Sequence, residues 1–290
     1  MLTHTAHAVV LSWLLDAVHA AAEAGSGVSM TVQPGSVRGI INGTSPGSAG
    51  NRYGYEDGSV RKIGDTFHMF VSEEISAPQW DGMRLGHWAS TAPAGDADWT
   101  RLGTLELDGK PMLSSKNCSD RAAHTGALWS PISFFEANTW YLNYVGYDCP
   151  GNVDGVIKLA KSTVPGPDGI GGPYASVDML MARNHSVPWE GNQGDDSFFA
   201  FHQPASAGGA LLALYGSSDG ASYWDVGLAR SASGTIRGPW VRPPENELQI
   251  QGGIENPIVL EVKPQRSGRE PLLVAVFDNI HSESTGFGLT

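Results

Sequence analysis

The chain has 290 residues, and 18 Lys and Arg against 30 Asp and Glu give it a formal charge of −12 at pH 7. This negative charge repels phosphate backbones and anionic membrane surfaces, so we expect no nucleic-acid or membrane partner and a neutral or cationic substrate. With 37 Gly, 18 Pro and only 17% charged residues, the composition favours many short strands joined by tight turns over long helices.

The first element is an apolar run, AHAVVLSWLLDAVHAAAEAGSG, at residues 6–27. Small residues end the run, so residues 1–26 resemble a secretory signal peptide, which would make the protein secreted or extracellular. No Lys or Arg precedes the run and Asp16 interrupts it, which keeps an amphipathic N-terminal helix as the alternative. The run is too short to span a bilayer. Residues 27–290 are expected to form one domain.

Two cysteines, Cys118 and Cys149, flank one predicted hairpin. In an oxidising compartment, a disulfide between them would join the loops beside that hairpin. The alternative is a pair of buried free thiols.

A repeated strand pattern organises the rest of the chain. Four segments share an alternating apolar pattern that predicts a strand: LGHWAS (85–90), IKLAKS (157–162), VGLARS (226–231) and FGLT (287–290). The first three are each followed by a turn and an aromatic residue, in segments that end at Thr100, Tyr174 and Trp240.

A predicted hairpin precedes each of these strands, beginning at Asp57, Ser130, Asp196 and Glu255. Turn-forming pairs separate the two apolar runs of each hairpin, as hairpins require: Gly64-Asp65, Ala137-Asn138, Gly208-Gly209 and Ser267-Gly268. The unit is therefore hairpin, strand, turn, strand.

Repetition of this unit at roughly sixty to seventy residues predicts the radial blades of a β-propeller. A β-sandwich would lack the long period, and an α/β fold would need helices between the strands. Only the N-terminal segment and part of 175–185 could be helical. The fourth unit begins at Glu255 and the sequence ends at Thr290 inside its third strand. We therefore expect the chain to be a fragment that continues past Thr290, or residues 27–50 to close the ring.

Aligning the repeats places Asp57, Ser130, Asp196 and Glu255 at one position, the entry of the innermost strand. Three of these four residues are acids, and they would surround one mouth of the central channel. Acids that face one another repel, which raises one or more pKa values and separates their protonation states, as glycoside hydrolysis requires. The alternative is that each acid only starts a turn.

The neighbouring acids Glu56 and Asp195 could be mistaken for members of this group. Adjacent side chains on a strand point to opposite faces, so only one acid of each pair can face the channel.

Four motifs in order resemble the blades of family 43 glycoside hydrolases and of the related five-bladed families 62, 32, 68 and 117. They cover residues from about 50 to 290 and are EDGSVRKIGDTFHMFVSE, LWSPISFFEANTWYLNYVGYD, GDDSFFAF and GGIENPIVL. The resemblance implies an all-β, five-bladed propeller that ends here within its fourth blade. It also implies an inverting glycosidase acting on a plant or algal poly- or oligosaccharide with arabinose-, xylose- or galactose-type sugars.

The resemblance also implies roles for the acids. Asp57 would be the general base, Asp196 would orient the acid and raise its pKa, and Glu255 would be the general acid. The chain departs from the family pattern at three positions, Gly58, Ser197 and Asn256. These departures leave the subfamily and the substrate open.

Further residues are candidates for contacts with a sugar or an ion. We expect Trp129, His124, Ser130 and Arg52 to contact substrate, whereas Trp88, Trp140, Tyr144 and Trp224 should pack between blades. No cofactor is expected to be required. A structural divalent cation such as calcium could lie in the central channel near His281, although a lone histidine is more often structural.

Two other functions stay open at this point. A carbohydrate-binding propeller without catalysis is the main alternative, and a propeller scaffold for protein partners is the second. The oligomeric state is open as well.

Overall fold

A computed structural model describes residues 41, 45–48, 51, 54–76, 82–92, 99–115, 124–148, 153–184, 189–191, 194–218, 224–243, 254–262, 271–279 and 286–289. They form seventeen strands and two short 3₁₀ turns, so the predicted all-β class is confirmed. In this part of the chain no helix is long and apolar enough to cross a membrane. The predicted signal peptide, both cysteines, Arg52 and His281 lie outside the described residues, so the disulfide and secretion remain predictions.

Four antiparallel sheets follow one another along the chain. The first contains β1 (Gly54–Ile63), β2 (Thr66–Glu74), β3 (Met83–Ser90) and β4 (Thr100–Thr104), paired in that order. A small hairpin follows, β5 (Glu106–Leu107) and β6 (Lys110–Pro111). The second sheet contains β7 (Ala127–Glu136), β8 (Thr139–Asp148), β9 (Val153–Ser162) and β10 (Tyr174–Ala182).

The third sheet contains β11 (Gly194–His202), β12 (Leu211–Ser218), β13 (Trp224–Ser231) and β14 (Trp240–Val241). The fourth contains β15 (Ile254–Val262), β16 (Leu272–Asn279) and β17 (Gly286–Leu289). The 3₁₀ turns are Pro167–Gly171 and Ala205–Ala207. One bridge, between Gly194 and Gly155, joins the third sheet to the second.

Three of the four predicted hairpin turns lie among the described residues, and all three are confirmed. Ala137 and Asn138 have φ angles of 47° and 60°, the left-handed conformation that a two-residue type I′ hairpin needs. Gly64 and Asp65 join β1 to β2, and the Gly208 region joins β11 to β12. The first three sheets therefore begin with the expected hairpin, and the fourth begins with the antiparallel pair β15 and β16.

The predicted third strands of the repeat are confirmed as β3, β9, β13 and β17, but the helix considered within 175–185 is wrong. Residues 174–182 form β10, which pairs antiparallel with β9. This strand buries Tyr174 and Met181 and exposes Met179. Tyr174 packs in the cluster that contains Phe70, and Met181 packs in the cluster that contains Phe198. This burial stabilises a strand, whereas an isolated helix of this length would be marginal.

The first strands of the sheets are neighbours in space: β1 lies beside β7, β7 beside β11, and β11 beside β15. Side-chain hydrogen bonds connect first strands that are not paired through their backbones. Ser59 in β1 binds the backbone of Pro131 and Ser133 in β7, at 3.2 Å and 3.1 Å. Sheets arranged radially around innermost first strands form a β-propeller. We call the four sheets blades 1 to 4; the number of blades in a closed ring remains a prediction.

Hydrophobic clusters fill the spaces between successive blades. Trp140 and Tyr144 pack with Phe70 between blades 1 and 2, and Trp224 packs against the cluster between blades 2 and 3, as the sequence predicts. Trp88 differs, because it lies in a cluster within blade 1 beside Trp99. This packing holds the inner strands, and the acids on them, in fixed positions.

Candidate active site

A β-bulge interrupts the first strand of every blade near its start. The pairing register shifts between Glu56 and Gly58, Trp129 and Ile132, Asp196 and Phe198, and Glu255 and Ile258. Within each shift one residue has a positive φ: Asp57 (46°), Ser130 (51°), Ser197 (40°) and Asn256 (52°). Bulges commonly lie beside active sites, where they redirect side chains.

The bulges correct the alignment made from the sequence. Asp57 and Ser130 are equivalent, but their counterparts in blades 3 and 4 are Ser197 and Asn256. Asp196 and Glu255 therefore precede the equivalent position by one residue. The four predicted residues still lie in the four innermost strands. The extra residue of a bulge shifts the pairing by one position but leaves each residue in the same strand.

Gly58 shows how the blade 1 bulge is accommodated. Its φ is 141°, and a β-carbon there would collide with the carbonyl oxygen of Phe70 in β2. Proline, which the family pattern has here, would fix φ near −65°. The departure from the family pattern is thus a local requirement of this backbone.

The carboxyl group of Asp57 lies within electrostatic range of acids from two other blades. Burial raises its pKa well above the usual value, and the charge of Asp196 raises it further. Ser130 opposes this, since its Oγ donates a hydrogen bond to Oδ2 of Asp57 at 2.9 Å. The charges of Glu56 and Glu255 also raise the pKa of Asp57. Acids on β1, β11 and β15 are therefore close enough for their charges to act on one another.

The second acid of the group, Asp196, is 6% exposed. Burial raises its pKa to about 6, while hydrogen bonds from the Tyr147 hydroxyl and the Ser197 backbone oppose the rise. Two repelling carboxyl groups of this kind lose their protons in separate steps. Asp57 and Asp196 therefore differ in protonation over part of the pH range, a separation that acid–base catalysis requires.

A cleft of about 660 Å³ opens between β1 and β15 and is lined by Asp57, Glu255, Ser130, Ser197 and Tyr55, among others. Its volume falls within the usual range for small-molecule sites. Two candidate catalytic acids therefore line a cavity large enough for sugar rings.

The predicted substrate contacts occupy different surroundings. Ser130 lines the cleft, but Trp129 is 6% exposed and packs in the core between blades 2 and 3. His124 is half-buried just before β7, with a positive φ of 45°. A Trp129 ring held in the core has little surface to offer a sugar.

Asp195 faces away from the acid group. Its carboxyl group is buried, and Oδ2 accepts a hydrogen bond from Nη1 of Arg242 at 3.1 Å. The same Nη1 donates to Oε2 of Glu190 at 2.8 Å. Adjacent strand residues thus serve two different clusters. Arg242 and Glu190 lie outside the sequence motifs, and Tyr147 lies within the second motif without any feature that marks it as a partner of the acids.

The predicted central cation stays a prediction. No group of three or more His, Cys, Asp or Glu side chains in the described part of the chain is arranged to hold a metal ion.

No protein-family model and no curated protein matches the sequence. The structure is similar to a family 117 glycoside hydrolase of Zobellia galactanivorans, with a TM-score of 0.57 at 12% identity, covering 87% of this chain and 73% of that one. An endo-1,4-beta-xylanase of Bacteroides thetaiotaomicron gives 0.53 at 16% identity, covering 87% and 79%. An alpha-L-arabinofuranosidase of Lactobacillus brevis gives 0.52 at 12%, covering 80% and 70%. The chain thus has the propeller fold found in these glycosidases.

Proposed function

We propose that this chain is a glycoside hydrolase that cleaves O-glycosidic bonds of a plant or algal poly- or oligosaccharide with inversion at the anomeric carbon. The observation that supports the proposal is that the charges of Asp196 and Glu255, from two other blades, act on Asp57, and that Asp57 and Glu255 line a cleft of sugar size. The fold supports it too, because the solved structures similar to this one act on glycosidic bonds.

The three acids have separate roles in the proposed reaction. Glu255 donates its proton to the leaving glycosidic oxygen as the bond from that oxygen to the anomeric carbon breaks. Asp57 takes a proton from the water that forms the new bond on the opposite face of the sugar. The negative charge of Asp196 disfavours ionisation of Glu255 and so keeps its proton available. Each acid thus matches one proton or charge requirement of inversion.

Ser130 has a supporting role in this scheme. Its hydroxyl donates to Asp57, and a hydrogen bond to a carboxylate favours the charged form that a base must have. The Ser130 backbone N–H is itself held by Oγ of Ser72 at 3.0 Å. The base therefore faces a donor whose position is fixed by blade 1 and blade 2 together.

The test begins with a screen of aryl glycosides and of polysaccharides that contain arabinose, xylose or galactose. Proton NMR of the first product formed should show an anomer inverted relative to the substrate. A retained anomer would refute the inverting mechanism. Binding of oligosaccharides without turnover would favour the carbohydrate-binding alternative instead.

Variants then test the roles. Asp57→Asn should reduce turnover by about 10²- to 10⁴-fold on all substrates, whereas Asp65→Asn, an exposed turn residue, should leave it unchanged. Glu255→Gln should strongly reduce turnover of unactivated oligosaccharides and affect activated aryl glycosides much less, because these leave without protonation. Glu261→Gln, at an exposed position of the same strand, is its control. Full activity of Glu255→Gln on an unactivated oligosaccharide would contradict the assignment.

A further inference from the structure

A tyrosine on the second strand of blade 2 reaches the acids, although they lie on first strands. Tyr147 in β8 is 2% exposed, and its hydroxyl donates a hydrogen bond to the carboxyl group of Asp196. The charges of Asp196, Asp57 and Glu255 all act on this hydroxyl. Its oxygen therefore lies within electrostatic range of acids from blades 1, 3 and 4.

Two glycines make this reach possible. A β-carbon on Gly155 would lie 2.7 Å from Cε1 and 3.1 Å from Cδ1 of Tyr147, too close for normal packing. Gly155 pairs with Gly194 in β11, where φ is 86° and a β-carbon would lie 2.6 Å from the Gly155 carbonyl oxygen. The absence of both side chains lets blades 2 and 3 approach each other and leaves room for the ring.

We infer that Tyr147 is a positioning residue of the candidate active site. Its side chain extends from blade 2 to blade 3 and fixes the Asp196 carboxylate relative to Asp57 and Glu255. The inference rests on the proposed function. Burial, followed by the charge of Asp196, raises the pKa of Tyr147 well above its usual value, so the hydroxyl keeps its proton and stays a donor. The same hydrogen bond lowers the pKa of Asp196 against the effect of burial.

The test replaces the donor and follows the acceptor. In Tyr147→Phe, the Asp196 carboxyl group should titrate about one pH unit or more above its value in the unchanged chain, because a hydrogen bond to a charged group is lost. Carbon-13 NMR of aspartate carboxyl groups in the whole, unliganded chain measures this, with Asp196→Asn assigning the resonance. The acidic limb of the kcat/KM profile should move upward by a similar amount.

Tyr141→Phe is the matched control, because Tyr141 lies on the same face of β8 in the same cluster, and burial first and then Glu136, not the three acids, raises its pKa. It should leave the Asp196 titration unchanged. An unchanged titration in Tyr147→Phe, or an equal shift in both variants, would overturn the inference. Absence of hydrolysis by the unchanged chain would refute the proposed function alone, since the titration needs no substrate.

A second measurement does not depend on the folding of Tyr147→Phe. The ζ-carbon resonance of Tyr147 in the unchanged chain should show a titration step near the Asp196 pKa of about 6. That step should disappear in Asp196→Asn. Its persistence in Asp196→Asn would show that Tyr147 senses another group and would overturn the inference.

Discussion

Glu73 offers a sharp test of how blade 1 is held together. It is fully buried in β2 and accepts hydrogen bonds from Nε of Arg84, from Nε and Nη2 of Arg101, and from Nε1 of Trp88 at 2.8 Å. Glu73→Gln keeps the shape of the side chain and removes its charge. Two largely buried arginines then lose the carboxylate that both of them bind.

The expected cost is large. Removing one member of a buried ion pair costs about 3–5 kcal/mol, because the remaining charge stays buried without compensation. For a domain of this size that loss lowers the midpoint of thermal unfolding by roughly 10 °C. Circular dichroism during heating, with a urea titration at 25 °C, measures both quantities.

The adjacent residue provides the control. Glu74 is 2% exposed and forms no ion pair with any residue that the structure describes. Burial raises its pKa, so replacing it with the uncharged Gln should change stability by less than about 1 kcal/mol. If Glu73→Gln and Glu74→Gln unfold at the same temperature, the two arginines do not depend on Glu73 and the reasoning is refuted.

Two further variants test the groups around the acids. Ser130→Ala removes the hydrogen bond to Asp57 and should move the acidic limb of kcat/KM upward by about 1–2 pH units; a uniform loss at every pH would contradict this. Arg242→Met should destabilise the chain, and urea titrations should find a greater loss at pH 9 than at pH 5. Burial first and then the charge of Glu190 raise the pKa of Asp195 to about 8. Below that pH the Asp195 carboxyl group is protonated and neutral, so it depends less on the charge of Arg242. For the same reason the Asp195 contribution to stability falls as pH rises from about 4 to 8, and an equal loss at both pH values would count against it.

Local patterns in the sequence were sufficient to predict most of the strands. Alternating apolar residues located the third strand of each blade, and Ala137-Asn138 located a turn, because both signals depend only on neighbours in sequence. The bulges were not predicted, since an extra residue leaves no mark in the alternation. The acids were therefore assigned to the correct strands, with Asp196 and Glu255 one residue out of equivalence.

The partners of the acids could not be predicted in the same way. Tyr147 binds Asp196 from another blade, and Arg242 binds Asp195 although the two residues are 47 positions apart in the sequence. Such pairs depend on how sheets pack, which a single sequence does not specify. Trp129 is the opposite case, in which a neighbour in sequence was misleading. Its position next to Ser130 suggested a sugar contact, but its side chain packs in the core.

The bulges also bear on how the mouth of the channel can change over evolution. After the bulge, alternate side chains of each first strand pack into the core between the blades. The extra residue of the bulge breaks this alternation for the residues at the start of the strand. A carboxyl group reaches the acid cluster from the bulge residue itself in blade 1, as Asp57, and from the residue before it in blade 3, as Asp196. The bulge residue and the residue before it are thus alternative positions for an acid, so a point substitution at either can alter the acid cluster while the core between the blades stays unchanged.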